Sequence, residues 1–264
     1  MLKMISVLLL LVIVFAFTVQ IMAVSKEDRV LNWYCPKIVE NRQPIADAPM
    51  RIIDEYHGYY LDKRHGNDCA DKVVYLTFDA GYENGNVEKI LDILKEENVS
   101  GAFFILGNLI QRNPDLVRRM ADEGNLVCNH TNHHKDMTKF DTVEEFGKEL
   151  SSLEELYYQS TGKEMSKYYR PPEGKFDERS LQFASSLGYK TIFWSLAYAD
   201  WDNQNQPSAE YAKEKILSRI HNGAVILLHP TSKTNALILK DVIQSLKKMG
   251  YRFGTLDELT SESL

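Results

Sequence analysis

No Lys/Arg-rich run occurs in the 264 residues, and 31 basic side chains are outnumbered by 37 acidic ones, for a formal net charge of −6. Such a surface repels phosphate backbones and anionic headgroups, so nucleic acid is not an expected partner. Cysteine is scarce. Cys35, Cys69 and Cys128 are too few and too widely spaced for a disulfide scaffold or a CxxC zinc knuckle. Export to an oxidising compartment would allow a Cys35–Cys69 bridge, with free or buried thiols as the equal alternative. No GxGxxG follows the first strand candidate, and neither a P-loop nor GxSxG is present, which removes the usual marks of dinucleotide binding, nucleotide hydrolysis and serine hydrolases. What is there is ordinary for a globular protein: 44% hydrophobic and 26% charged residues, enough to bury one substantial core.

One long apolar run stands out. After Lys3, residues 4–24 carry no charge and only Ser6, Thr18 and Gln20 as polar interruptions. About 20 helical residues span a bilayer's hydrocarbon layer, so 1–24 reads as a membrane anchor or a signal peptide. Ala23 is preceded two positions earlier by Ile21, a poor small-x-small cleavage site, which weighs toward the anchor. Either way the rest of the chain is expected outside the cytoplasm. Residues 25–71 are broken by Pro36, Pro44, Pro49, Gly58 and Gly66 and read as an extension packed on a main domain over 72–260.

Within that domain, β-branched or aromatic runs at 73–79, 101–106, 125–130, 168–171, 189–196, 224–229 and 251–256 predict seven strands. Helices alternate with them. Asn113-Pro114 and Thr142-x-x-Glu145 mark two helix starts, and Gly124, Gly188, Gly223 and Gly250 are placed to end helices directly before strands. Seven such units in one domain predict an α/β protein with a distorted (β/α)7 barrel; an open doubly wound sheet is the alternative. In a parallel barrel, functional groups gather at the C-terminal ends of the strands. Asp79, His130, Arg170 and His229 fall at such ends and Asp200 lies just past one, so all five are expected at one mouth.

His130 and His134 have i, i+4 spacing, which would put two imidazoles on one face if a helical turn followed the strand, and such a pair can chelate a divalent ion. A histidine pair is as often plain surface, and His133 is a rival ligand. His229 emerges from Val225-Ile226-Leu227-Leu228 before Pro230, where burial would lower its pKa and a carboxylate would raise it. Arg170-Pro171-Pro172 holds a cation suited to fixing a carboxylate such as Asp79, or to a purely structural ion pair. The acidic stretch with Glu144, Glu145, Glu149, Glu154 and Glu155 reads as a solvated helix face, and Tyr56, Tyr59 and Tyr60 as packing of the extension, with the lining of a glycan groove as the alternative.

Taken together and in order, Thr77-Phe78-Asp79-Ala80-Gly81, His130-Thr131-Asn132-His133-His134, Arg170-Pro171-Pro172-Glu173-Gly174, Asp200-Trp201 and Leu227-Leu228-His229-Pro230 closely resemble the polysaccharide deacetylase family, carbohydrate esterase family 4. The resemblance covers 73–259. Asp79-Ala80-Gly81-Tyr82-Glu83-Asn84-Gly85, with the long extension, is nearest to the group that deacetylates muramic acid on the way to muramic δ-lactam in spore peptidoglycan.

The resemblance implies a hydrolase that removes N-acetyl groups from amino sugars with a divalent metal, often zinc. By the same likeness His130 and His134 bind the metal, Asp79 is the base, Arg170 orients it, His229 is the acid and Asp200 tunes it. Tyr82, Pro172, Gly174 and Trp201 would contact the sugar, glycan strands of peptidoglycan would be the partner, and a wall hydrolase a further one. Two positions depart from the family. Ala80 stands where a second aspartate usually completes the metal site, so the ion would be held weakly or by another oxygen such as Glu83, and Glu173 stands where an aromatic residue is common. N-acetylglucosamine in peptidoglycan or chitin is the alternative substrate, and a non-catalytic glycan-binding module the alternative of another class.

Overall fold

The computed structural model describes residues 29–261; the apolar segment expected to be an anchor or leader lies outside them. No helix among the described residues is long and apolar enough to cross a membrane. Residues from Leu31 onward form one compact unit.

Its strands are β1 (Leu31–Asn32), β2 (Gly58–Tyr59), β3 (Lys72–Ala80), β4 (Ala102–Ile105), β5 (Leu126–Asn129), β6 (Tyr168–Tyr169), β7 (Lys175–Phe176), β8 (Lys190–Ile192), β9 (Ala224–Leu228) and β10 (Tyr251–Phe253). All seven predicted strands are present, most of them shorter than the runs that predicted them. The parallel order β9-β3-β4-β5-β6-β8 curls round until Leu196, just past β8, bridges Ile226 of β9. The result is a distorted barrel with a thin seam. β10 is not a stave of the ring, because it pairs only with Lys72–Val74 at the foot of β3, beneath β4. β2, from the extension, pairs with β8, and Leu61 bridges Ala224, so the extension fills the lower gap between β8 and β9.

Alternation along β3 sorts its side chains. Val74, Leu76, Phe78 and Ala80 face the helices, packing with Ile90, Leu91 and Leu94 of α1 (Val87–Glu96). Val73 and Tyr75 face inward onto Phe104, Cys128 and Val225, and Leu256 and Leu259 join this inner cluster at the foot of the barrel. Thr77 and Asp79 continue the inward row, so the last of it reaches the mouth.

The remaining helices are α2 (Gly107–Arg112), α3 (Pro114–Asp122), α4 (Val143–Thr161), α5 (Glu178–Ser186), α6 (Ala209–Leu217), α7 (Lys233–Lys248) and α8 (Leu256–Leu259). Thr142 caps α4 by accepting from the Glu145 amide, whereas Asn113 makes no side-chain cap and its Pro114 alone starts α3. Gly124, Gly188 and Gly250 follow helices with positive φ. Gly223 differs: α6 has already ended at Leu217, and the glycine closes a turn in front of β9.

That turn is where the extension docks. The Gly223 amide donates to Val73 O at 2.8 Å and its carbonyl accepts from the Asp62 amide at 2.8 Å, while the Gln43 side chain donates to the carbonyls of Asp62, His65 and Asn222. A Cβ at 223 would sit 2.4 Å from Asp62 O at φ +73. Gly223→Ala should therefore cost about 1–3 kcal/mol from backbone strain alone, read as a lower urea midpoint at unchanged m-value.

Cys35, Cys69 and Cys128 are all free thiols, so the bridge considered above is not formed.

Candidate active site

Asp79 stands at the inner end of β3 with Arg170 behind it. The Arg170 guanidinium is wholly buried and donates to Asp79 Oδ1 at 2.7 Å, Thr77 Oγ1 at 2.9 Å, Ile192 O at 2.9 Å and Phe193 O at 3.3 Å. Its Cζ lies 4.1 Å from the Phe104 ring centroid. Burial alone would raise the Asp79 pKa, but the Arg170 charge, with its hydrogen bond, holds it below the ordinary aspartate value. Asp79 is an ionised acceptor.

His130 follows β5. Its Nδ1 faces the Arg170 carbonyl at 2.8 Å, so Nδ1 carries the hydrogen, and Nε2 turns its lone pair toward Asp79 Oδ2 at 3.6 Å. Burial pushes His130 down to about 4, so the imidazole is neutral. Two acceptors thus face each other without a hydrogen between them, an arrangement that suits a cation. His134 joins this wall, its ring centroid 5.1 Å from that of His130. No helical turn brings them together. Thr131 and His134 have φ of +73° and +57°, the His134 amide donates to Thr131 Oγ1 at 2.9 Å, and the Thr131 amide donates to Asn129 Oδ1 at 2.9 Å.

Glu149 fixes the far side of this loop. It accepts from the His133 amide at 2.6 Å and lies 3.0 Å from His133 Nδ1 and 3.2 Å from Lys135 Nζ. It is buried, contrary to the expectation of a solvated acidic face, and it turns His133 away from the rival ligand role.

His229 follows β9 and meets Asp200. Asp200 Oδ1 is 2.7 Å from His229 Nδ1, and Oδ2 accepts from the His229 amide at 2.8 Å and from Asn235 Nδ2 at 2.6 Å. Tyr198 donates its hydroxyl to Asn235 Oδ1. With a carboxylate on Nδ1, Nε2 is the free edge of the ring. Burial lowers the His229 pKa, yet the hydrogen bond and charge of Asp200 outweigh it and the net shift is upward.

Asp79, His130, His134, His229 and Trp201 line one cavity of about 800 Å³, with Glu173 and Gly174 on its wall. Arg170 and Asp200 lie behind Asp79 and His229 and are not lining residues. Trp201 is 63% exposed, its ring 6.4 Å from His229. Tyr82 and Pro172, expected as sugar contacts, do not line the cavity. Tyr82 sits in the open, accepting from Asn203 Nδ2 at 2.6 Å, and Pro172 is buried.

The donor set fits a metal only in part. Ala80 belongs to the helix-facing layer rather than to the cavity. Glu83 accepts from the Gly85 amide and lines a separate depression with Arg112 and Arg119, so it does not replace the missing carboxylate. Among the described residues no group of three or more His, Cys, Asp or Glu side chains is arranged to hold a metal ion. What fits is a two-imidazole site beside Asp79.

Sequence reasoning missed Trp33, Tyr34 and Cys35, which line the same cavity from the extension. It also missed Asn235. Ser232-x-x-Asn235 is legible as a helix cap, and Ser232 does accept from the Asn235 amide, but only the fold aims the Asn235 side chain at Asp200.

An ionised carboxylate and a histidine of raised pKa that face one cavity, each fixed by a buried partner, can take and give a proton across it. The chain belongs to the polysaccharide deacetylase family and is a hydrolase acting on amide C–N bonds; the family model matches residues 66–192. It is 42% identical to the peptidoglycan-N-acetylmuramic acid deacetylase PdaA of Bacillus subtilis over 88% of this chain and 86% of that one. The solved structure of PdaA, described as a family 4 carbohydrate esterase, superposes with a TM-score of 0.82 at 40% identity, covering 88% of this chain and 97% of that one. A family 4 carbohydrate esterase from Bacillus anthracis gives a TM-score of 0.72 at 36% identity, covering 89% and 98%.

Proposed function

We propose that this enzyme removes acetate from N-acetylmuramic acid in peptidoglycan glycan strands, outside the cytoplasm, as a step toward muramic δ-lactam during sporulation. The observation that carries the chemistry is the pairing of Asp79 and His229 on one cavity, one kept ionised by Arg170 and the other raised in pKa by Asp200. The name of the 42% identical relative supports the sugar.

In this reading Asp79 takes a proton from the attacking water as its oxygen bonds to the acetyl carbon. Arg170 keeps the carboxylate ionised and aimed. His229, protonated, gives its Nε2 proton to the nitrogen as the C–N bond breaks, leaving acetate and a free amine. His130 and His134 would hold a divalent ion, zinc by the family likeness, which when bound would polarise the acetyl carbonyl and acidify water. The released amine lies near the sugar's own lactyl carboxyl, so that six-membered ring closure with loss of water is favoured by proximity.

The test is acetate release from peptidoglycan strands, with mass spectrometry locating the deacetylated sugar. Zinc-supplied wild type should lose acetyl groups from muramic acid, and Asp79→Asn should not. Loss from N-acetylglucosamine instead would move the substrate, and no loss from either would leave a glycan-binding module.

A further inference from the structure

The extension does more than plug the foot of the barrel. β1 pairs antiparallel with β7, Leu31 opposite Phe176 and Asn32 opposite Lys175, directly after the Arg170-Pro171-Pro172-Glu173-Gly174 segment. The next residue is locked there. The Trp33 amide donates to Gly174 O at 2.8 Å and its indole Nε1 to Trp194 O at 2.8 Å, while its ring packs on Phe193 with centroids 4.7 Å apart. Gly174 permits this approach: a Cβ on it would meet the Trp194 ring at 2.8 Å and Trp33 Cβ at 3.0 Å.

Tyr34 follows that anchor and lines the catalytic cavity with Asp79, His229 and Trp201. It is 43% exposed, and its hydroxyl donates to the Asp47 carboxylate, which fixes the side chain without covering it. A large ring held open to water at the edge of a reaction cavity has area to offer a ligand, and little ordering entropy is lost when the ligand arrives. The apolar face of a sugar ring suits such a surface. The cavity also has room for more than the sugar that reacts.

We propose that Tyr34 is a substrate-positioning residue, a platform for the sugar next to the one that loses its acetyl group, so that the extension forms part of the active site and favours chains over single sugars. The inference rests on the glycan-deacetylase reading and names which part of the glycan this side chain holds.

The experiment compares wild type, Tyr34→Ala and Tyr34→Trp as full chains. Rates of acetate release are measured on a peptidoglycan-derived tetrasaccharide and on N-acetylmuramic acid alone. Binding of the tetrasaccharide is also measured in an Asp79→Asn background, with and without Tyr34→Ala. Tyr34→Ala should raise KM for the tetrasaccharide roughly 2–10-fold with kcat little changed, leave kinetics on the single sugar as they were, and weaken tetrasaccharide binding by the same factor; Tyr34→Trp should restore both. Unchanged KM and unchanged binding on the tetrasaccharide would overturn the proposal, as would an equal loss on both substrates. Weakened binding with no acetate released by any variant would keep the platform and dismiss the deacetylase reading instead.

Discussion

His229→Ala should lower kcat for acetate release by about 10²–10⁴-fold with little change in KM, the range associated with loss of one general acid. The departing amine would then have no positioned proton. The companion variant Asp200→Asn separates the acid's presence from its tuning. In the wild type Asp200 raises the His229 pKa against the pull of burial, so the active, protonated form survives above the ordinary histidine value of 6.5. Activity is present below that raised pKa and is lost as pH climbs through it. An asparagine leaves only the Asp79 charge to oppose burial, and the basic limb of the kcat/KM profile should move to lower pH. The introduced amide keeps its oxygen on the His229 amide and Asn235 Nδ2 and turns its NH2 to His229 Nδ1, a donor-to-donor contact whenever the ring is protonated, so a stability loss of about 1–3 kcal/mol is expected alongside while the ring is charged. The shift of the limb is the readout that such a loss would not produce.

Arg170→Met should reduce unfolding free energy by about 3–5 kcal/mol, because the cation is fully buried and its removal strands the Asp79 charge. The side chain also holds the strand ends together, reaching Thr77 of β3 and the carbonyls of Ile192 and Phe193 at and beyond β8. Adding Asp79→Asn in that background removes the stranded charge and should recover part of the loss. Chemical denaturation of the four proteins in this cycle gives the coupling directly, and additive losses would show that the pair is not the source of the effect.

Much of this site is legible from the chain alone because barrel topology converts a local pattern into a place. Period-two alternation on β3 sends Thr77 and Asp79 inward and Ala80 outward, and strand ends carry His130, Arg170 and His229 to the same rim. Other features had no local signal. His130 and His134 meet through two left-handed residues rather than a helical turn, and Glu149 reads as one more acid on a charged helix until the loop folds over it. Tyr82 and Pro172 sit within motifs whose neighbours line the cavity, yet loop geometry leaves one in the open and the other buried.

The order of strands and helices, the family, and the inward row ending in Asp79 were determined by the sequence, since each rests on periodicity or on motifs a few residues long. The tertiary structure alone decided that the extension supplies Trp33 and Tyr34 to the catalytic cavity and that Gly223 receives its docking turn. Trp33 finds Trp194 across 161 residues, and the Gln43 side chain finds Asn222 across 179. Contacts over such separations depend on how packed surfaces fit once the barrel has closed, and no spacing along the chain encodes that fit.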